Sequence, residues 1–201
     1  MAGERFVSFN VLVVPEDPTL NGYILQPLCT RILQEAGKPR ANIKILTDPR
    51  VEGDADAKAK LLSEIPENWD HMDLMLLILD ADGKDRQPGF ARLEEELANR
   101  QRPVKLICCA AVQEIETWVL AGHPDKLKAN RWGWSEIRAE VSTKEVYFEP
   151  FLEQHGDPAV PGRGRKRLIQ EALANYTAIK QRCPEIQDLE DRIREHLAQL
   201  T

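Results

Sequence analysis

The feature that most constrains the fold is a run of six apolar residues, LMLLIL, from Leu74 to Leu79. A strand with one face in water alternates apolar and polar residues, whereas this run contains no polar residue. It is also far shorter than the roughly 20 apolar residues that a membrane-spanning helix needs. The run therefore predicts an interior strand of a parallel sheet, covered on both faces.

The segments around this run alternate between strand-like and helix-like patterns. The other strand-like segments of the first 120 residues are Phe6 to Val14, Ile43 to Leu46 and Val104 to Val112. The helix-like segments are Asn21 to Ala36, Asp54 to Ile65, Phe90 to Arg100 and Glu114 to Ala121. This alternation predicts an α/β fold, a Rossmann-like and mostly parallel sheet with helices on both faces.

After Gly122 the pattern changes, and we find no further long strand in the sequence. The segment from Val141 to Leu152 is ambiguous between strand and helix, whereas Arg165 to Lys180 and Pro184 to Leu200 have helical patterns. We therefore expect an α/β domain over residues 1–122 and a helical extension over residues 123–201. The extension should pack on the sheet and form one structural unit with it.

Composition narrows the class of protein. The sequence has 201 residues, 42% of them hydrophobic, and shows no leader or membrane-span pattern, so we expect a cytoplasmic protein with no membrane partner. The net charge of −6 predicts that the chain as a whole will not be drawn to polyanions. The four cysteines form no C-x-x-C pair and the four histidines are scattered, which predicts buried reduced thiols and gives no support for zinc.

Two aspartates, Asp80 and Asp82, directly follow the LMLLIL strand. Ligands of open α/β sheets bind beyond the carboxyl ends of the strands, and a period of two would put both carboxylates on the same side. Two carboxylates so close repel each other unless a cation lies between them, and Mg²⁺ or Mn²⁺ prefers such oxygen ligands. The alternative is a pair of solvated turn residues, because Asp and Gly are common after any strand.

Three glutamates could complete such a site. Glu16 follows the first strand-like segment, one residue past Pro15, and Glu114 and Glu116 follow the strand that ends near Val112. Carboxylates at three strand ends can converge on one or two metal ions. The alternative for Glu114 and Glu116 is an electrostatically favourable position in the first turn of a helix.

A basic segment lies near the start of a predicted helix in the extension. The sequence from Gly162 to Arg167 contains four cations, namely Arg163, Arg165, Lys166 and Arg167. Cations in a first helical turn oppose the helix dipole, so helix stability does not explain them. A helix start with two glycines and four cations suits a phosphate-binding site, whereas the alternative is a solvated surface run.

Other acidic and nucleotide-binding motifs are excluded. An EF-hand beginning at Asp80 would need Gly and Glu where the chain has Asp85 and Ala91. There is no P-loop motif, no G-x-G-x-x-G after the first strand and no G-x-S-x-G elbow.

Together, the glutamate after strand one, the D-x-D and the E-x-E-x-W-like helix start resemble the TOPRIM-like proteins. More narrowly, the chain is similar to a bacterial family of unknown function related to the overcoming-lysogenization-defect (OLD) nucleases, often paired with ATPases in defence loci. The tail adds to this resemblance, which extends over most of the chain, with Tyr147–Phe148, Gly164–Arg165–Lys166–Arg167 and Cys183–Pro184–Glu185.

The resemblance implies a TOPRIM-like fold and metal-dependent phosphodiester cleavage, hence a nuclease. It implies that Glu16, Asp80 and Asp82 bind Mg²⁺ or Mn²⁺ and that Glu116 is an additional catalytic acid. In place of the family's Glu-Gly turn the chain has Pro15–Glu16–Asp17–Pro18, and the missing glycine and fixed proline φ can displace the glutamate.

Two other functions remain open from the sequence. One is a non-catalytic partner or regulatory subunit of an ATPase, which the altered turn and the acidic net charge favour. The other is a metal-dependent phosphatase that acts on small substrates. Nucleic acid binding would separate the nuclease from the phosphatase, and the sequence gives no indication of oligomeric state.

Overall fold

The computed structural model describes residues 8–100, 103 and 105–200. It contains a four-stranded sheet with the order β2-β1-β3-β4, in which every neighbouring pair is parallel. The strands are β1 (Asn10–Pro15), β2 (Asn42–Ile45), β3 (Leu74–Asp80) and β4 (Leu106–Ala111). The α/β class and the parallel sheet are therefore confirmed, while predicted strand residues 6, 7 and 104 lie outside the described residues.

Five helices belong to the described part of the first 122 residues. They are α1 (Gly22–Glu35), α2 (Gly53–Leu61), α3 (Glu64–Asn68), α4 (Gln87–Ala98) and α5 (Glu116–Ala121). The single helix predicted over residues 54–65 is wrong in extent, because the chain forms two helices there. Pro66 lies in the first turn of α3, where its missing N–H would have no intrahelical partner.

The rest of the described chain is helical, as predicted. Its α-helices are α6 (Pro124–Ala129), α7 (Trp134–Ala139), α8 (Glu149–His155), α9 (Arg165–Ala172), α10 (Tyr176–Arg182) and α11 (Pro184–Gln199). A π-helical turn (Lys144–Phe148) leads into α8, and 3-10 turns (Pro161–Gly164 and Leu173–Asn175) flank α9. The ambiguous segment over residues 141–152 is thus largely helical. No helix in the described ranges combines the length and apolar character that crossing a membrane requires.

The apolar run of β3 divides its side chains between two hydrophobic clusters, one on each face of the sheet. Leu74, Leu76 and Ile78 join the cluster that contains α1, α5 and the C-terminal helices. Met75, Leu77 and Leu79 join the cluster that contains α2 and α4. All six side chains are at most 1% exposed, which confirms an interior strand covered on both faces.

The helical extension packs on the first of these clusters. Phe151 and Ile186 of the extension share it with Val11 of β1, so the cluster crosses the predicted boundary at residue 122. At this boundary Gly122 lies against α9, because a Cβ at residue 122 would be 2.4 Å from the Cβ of Ala172. The division into two domains stays a prediction.

Candidate functional site

Four carboxylates surround the carboxyl edge of the sheet. Asp80 ends β3, Glu16 follows β1 by one residue, and Glu114 and Glu116 follow β4. The charges of the three glutamates all raise the pKa of Asp80, so they lie close enough to interact with it. The structure therefore brings together the strand-end carboxylates of β1, β3 and β4.

Asp80 is the centre of this group. Its Oδ1 accepts a 2.8 Å hydrogen bond from the backbone N–H of Ile115, which ties the end of β3 to the start of α5. Burial, followed by the charge of Glu116, raises the pKa of Asp80 to about 8, although the hydrogen bond from Ile115 opposes the shift. An Asp with this pKa holds its proton at neutral pH unless a cation compensates its charge.

Glu116 is the most deeply buried of the four carboxylates, with an exposed fraction of 1%. It occupies the first turn of α5, where a negative charge interacts favourably with the helix dipole. Its Oε1 makes no hydrogen bond with any described residue. Burial raises the pKa of Glu116, while the positive charges of Lys144 and Arg165 oppose the shift.

Glu114 connects the β4–α5 loop to the π-helical turn. One of its oxygens, Oε2, accepts a hydrogen bond from the backbone N–H of Lys144. Burial is the main cause that raises the pKa of Glu114 to about 7, and the neighbouring charge of Glu116 adds to it. π-helical turns inside helices are frequent at functional sites because they re-aim the residues around them.

Glu16 is partly buried and faces the start of α2. A Cβ built on Gly53 would be 3.8 Å from its Oε1. The turn that follows Glu16 is ordered by Asp17, whose Oδ1 accepts a 2.9 Å hydrogen bond from the N–H of Thr19. Despite the proline-rich turn, the charge of Glu16 still acts on Asp80.

Asp82 does not join this group in the way that strand alternation predicts. The strand ends at Asp80, and Asp82 has a positive φ of 49°, so the period of two is broken before it reaches Asp82. Its carboxylate forms a 3.1 Å ion pair with Arg86, one turn further on. The strand alternation on which the pairing of Asp80 with Asp82 was predicted therefore does not extend to Asp82, and a shared metal site for the two stays a prediction.

The basic segment does not present four cations on one surface. Arg165 is 1% exposed, donates a 2.9 Å hydrogen bond to Glu149 and lies 5.3 Å from the ring centroid of Phe148. Arg163 also pairs with Glu149, at 2.5 Å, and Arg167 pairs with Glu171 and the carbonyl of His155. The four cations therefore do not form one surface cradle, and the burial of Arg165 excludes a fully solvated run. Phosphate binding by this segment stays a prediction.

Arg165 instead belongs to the surroundings of the carboxylates. Its charge lowers the pKa of Glu116, and its Nε is buried without a hydrogen-bond partner among the described residues. Lys144 and Glu149 complete these surroundings, and sequence reasoning missed both of them. No motif marks either residue, because only the packing of the π-helical turn against α5 and the pairing of Glu149 with Arg165 of α9 bring them to the sheet edge.

The residues at this edge meet only some of the requirements of a divalent-cation site. Within the described residues, no three His, Cys, Asp or Glu side chains form a group that could hold a metal ion. The donors present are nevertheless carboxylate oxygens, which Mg²⁺ and Mn²⁺ prefer, and Glu116 Oε1 is buried with no hydrogen bond to a described residue. The type of donor at this edge thus suits a divalent cation, whereas a site with three protein ligands is not formed by the described residues.

The cysteines lie away from this chemistry. All four, Cys29, Cys108, Cys109 and Cys183, are free and buried, which confirms the prediction of buried thiols. Burial raises the pKa of Cys29 to about 12, so this side chain is an inert part of the core.

Comparison of the chain with protein-family models, with curated proteins and with solved structures gives no match. The resemblance to TOPRIM-like proteins therefore stays a prediction, and it depends on the residues quoted for it above.

Proposed function

We propose that the protein is a divalent-metal-dependent phosphodiesterase of TOPRIM type, with a nuclease-like activity that uses Mg²⁺ or Mn²⁺. The observation that carries this proposal is the convergence of carboxylates on Asp80. Burial, together with the charges of the three glutamates that follow β1 and β4, raises the pKa of Asp80 to about 8. A divalent cation would relieve this repulsion and favour the ionised carboxylate.

Asp80 and Glu116 are the residues that would hold the ion. Mg²⁺ keeps several waters and is commonly bound by one or two carboxylates together with the phosphate oxygens of a substrate. A site of this kind needs no group of three protein ligands, in agreement with the described residues. When bound, the ion would supply charge stabilisation for phosphoryl oxygens and a more acidic water.

The chain's own residues would position the substrate and move a proton. The carboxyl of Glu114 has a pKa of about 7, which suits a group that accepts or donates a proton at neutral pH. Arg165 places a buried positive charge beside Glu116, where it offsets part of the negative charge and favours a phosphate. Nucleic acid is the substrate class that this chemistry favours.

The second candidate function is a non-catalytic partner of an ATPase that retains the fold. The observation in its favour is the 3.1 Å ion pair between Asp82 and Arg86. This pair engages the carboxylate of the second aspartate of the D-x-D, which a metal ion would otherwise use. Metal binding without cleavage would select this candidate, and cleavage that requires Asp80 would exclude it.

Calorimetric titration with Mn²⁺, beside cleavage of labelled single-stranded and plasmid DNA, tests the proposal. We expect Asp80→Asn and Glu116→Gln to lower metal affinity at least tenfold and to abolish cleavage. The control is Asp70→Asn, because Asp70 has a 66% exposed side chain and precedes β3 at the opposite edge of the sheet. Absence of a metal signal in the wild type at millimolar Mn²⁺, or equal affinity in all three variants, would contradict the proposal.

A further inference from the structure

Two neighbouring cavities form a groove between α1 and α9. Their volumes are about 320 Å³ and about 350 Å³, and both are lined by Gln26, Pro27 and Lys166. The first cavity opens beside Thr19, in the turn after β1, and Thr47, which follows β2. The groove therefore begins at the edge of the sheet that carries the carboxylates and continues along α1.

The groove lacks the negative charge that dominates the chain. None of the described residues that line either cavity is acidic, although the sequence has 33 Asp and Glu against 27 Lys and Arg. Its cations are Lys166 and Arg31, and Arg31 forms a 2.8 Å ion pair with Glu35. Lys166 is exposed, and its ammonium makes no hydrogen bond or ion pair with a described residue. It is thus the member of the basic segment that remains available to an anion.

An aromatic ring lies in the first cavity, next to this cation. Tyr23 is partly buried and lines the cavity together with Lys166. Gly162, with a φ of 70°, packs so closely on the ring that a Cβ there would be 2.5 Å from Cδ2 of Tyr23. The glycine therefore allows the loop before α9 to support the ring, which fixes an aromatic surface beside a cation that pairs with none of the described residues.

We propose that this groove binds a single-stranded nucleic acid, with consecutive nucleotides in the two cavities and their linking phosphate at Lys166. Each cavity has the volume of a small-ligand site, and Lys166 lies where the two meet. Proteins that bind single strands combine a cation for the backbone with an aromatic side chain on which a base stacks, here Tyr23. The inference rests on the proposed function, because the strand would lead to the carboxylates at the same edge.

Fluorescence anisotropy with labelled 12-nucleotide single strands tests the groove, in EDTA and over a series of salt concentrations. Lys166→Glu should weaken binding at least tenfold and reduce the slope of log affinity against log salt by about 0.7, the value of one phosphate contact. Tyr23→Leu should weaken binding about tenfold and leave the salt slope unchanged. The matched control is Lys105→Glu, since Lys105 is exposed and precedes β4 at the opposite edge.

Because the binding assay contains EDTA, it measures strand binding without metal and so separates this inference from the proposed function. If binding depends on Lys166, the groove is supported even when no cleavage is found. If the protein cleaves nucleic acid but Lys166→Glu and Lys105→Glu bind the strand equally well, the groove is overturned and the proposed function stands. No binding at about 25 mM salt, or competition by mononucleotides as effective as that of the strand, also overturns it. Thermal unfolding of each variant checks that the fold is retained.

Discussion

Asp80 and Ile115 are joined by a 2.8 Å hydrogen bond, in which the backbone N–H that opens the turn into α5 donates to the carboxylate that ends β3. This contact fixes Asp80 beside Glu116, the first residue of α5. The same neighbourhood raises the pKa of Asp80 to about 8 through burial and through the charge of Glu116. Because Asp80 is buried among other carboxylates, its charge state should depend on pH and on the residues around it.

Stability should fall as pH rises from about 5 to about 8 in EDTA. In the folded chain Asp80 keeps its proton up to about pH 8, whereas in the unfolded chain it loses the proton near its ordinary pKa of 3.8. The folded state therefore binds more protons over this range, and one such group changes the free energy of unfolding by up to about 1.4 kcal/mol per pH unit. Urea unfolding at several pH values measures this slope. Asp80→Asn should reduce it, and an unchanged slope in that variant would contradict the assignment.

The two aspartates of the D-x-D should differ in metal affinity. Asp82 is paired with Arg86 and has left the strand, so Asp82→Asn should change Mn²⁺ affinity less than about threefold. Asn tolerates the positive φ at this position, so the turn should be kept. Titration of this variant beside Asp80→Asn measures the difference. A loss of affinity in Asp82→Asn as large as that in Asp80→Asn would place Asp82 among the metal ligands.

Arg165 should contribute more to stability than its neighbour Arg167. Arg165→Met removes a cation that is 1% exposed, while Glu149 keeps Arg163 as an ion-pair partner among the described residues, so we expect a cost of about 1.5–3 kcal/mol. Arg167→Met removes a side chain that is 51% exposed, and it should lower the free energy of unfolding by less than about 1 kcal/mol. Urea unfolding at pH 7 gives both values. Equal costs would mean that the buried pair is no more important than the exposed one.

Gly122 and Gly89 provide a matched pair for the packing of α5 on α9. Gly122→Ala would place a Cβ 2.4 Å from the Cβ of Ala172 and 2.7 Å from its carbonyl oxygen, so we expect a loss of about 1–3 kcal/mol. Gly89 lies within α4 and has no atom within 4 Å of a built Cβ, so Gly89→Ala should stabilise by about 0.4–1 kcal/mol. Thermal unfolding of the two variants should shift in opposite directions. An unchanged unfolding temperature in Gly122→Ala would contradict this expectation and show that α5 and α9 can move apart at no cost.

Local patterns were sufficient to predict the strands and the parallel sheet. Leu74 to Leu79 is uninterrupted because both faces of β3 are covered, and the strand-end position of Asp80 follows from where that run stops. The free buried cysteines could also be predicted, since Cys108 and Cys109 lie in an apolar segment and none of the four has C-x-x-C spacing. In these cases the residues next to a side chain in sequence were enough to predict whether it is buried and where the strand ends.

The surroundings of the carboxylates were decided by tertiary structure alone. Alternation along β3 predicted that Asp82 would accompany Asp80, but the left-handed turn and Arg86 take it elsewhere. The cluster of cations predicted one basic surface, but the chain buries Arg165 against Glu149 and leaves Lys166 in the groove along α1. Sequence determines which residues can form a strand or a helix. Which charged side chains meet depends on the packing of distant helices on the sheet, because burial and pairing are properties of neighbours in space.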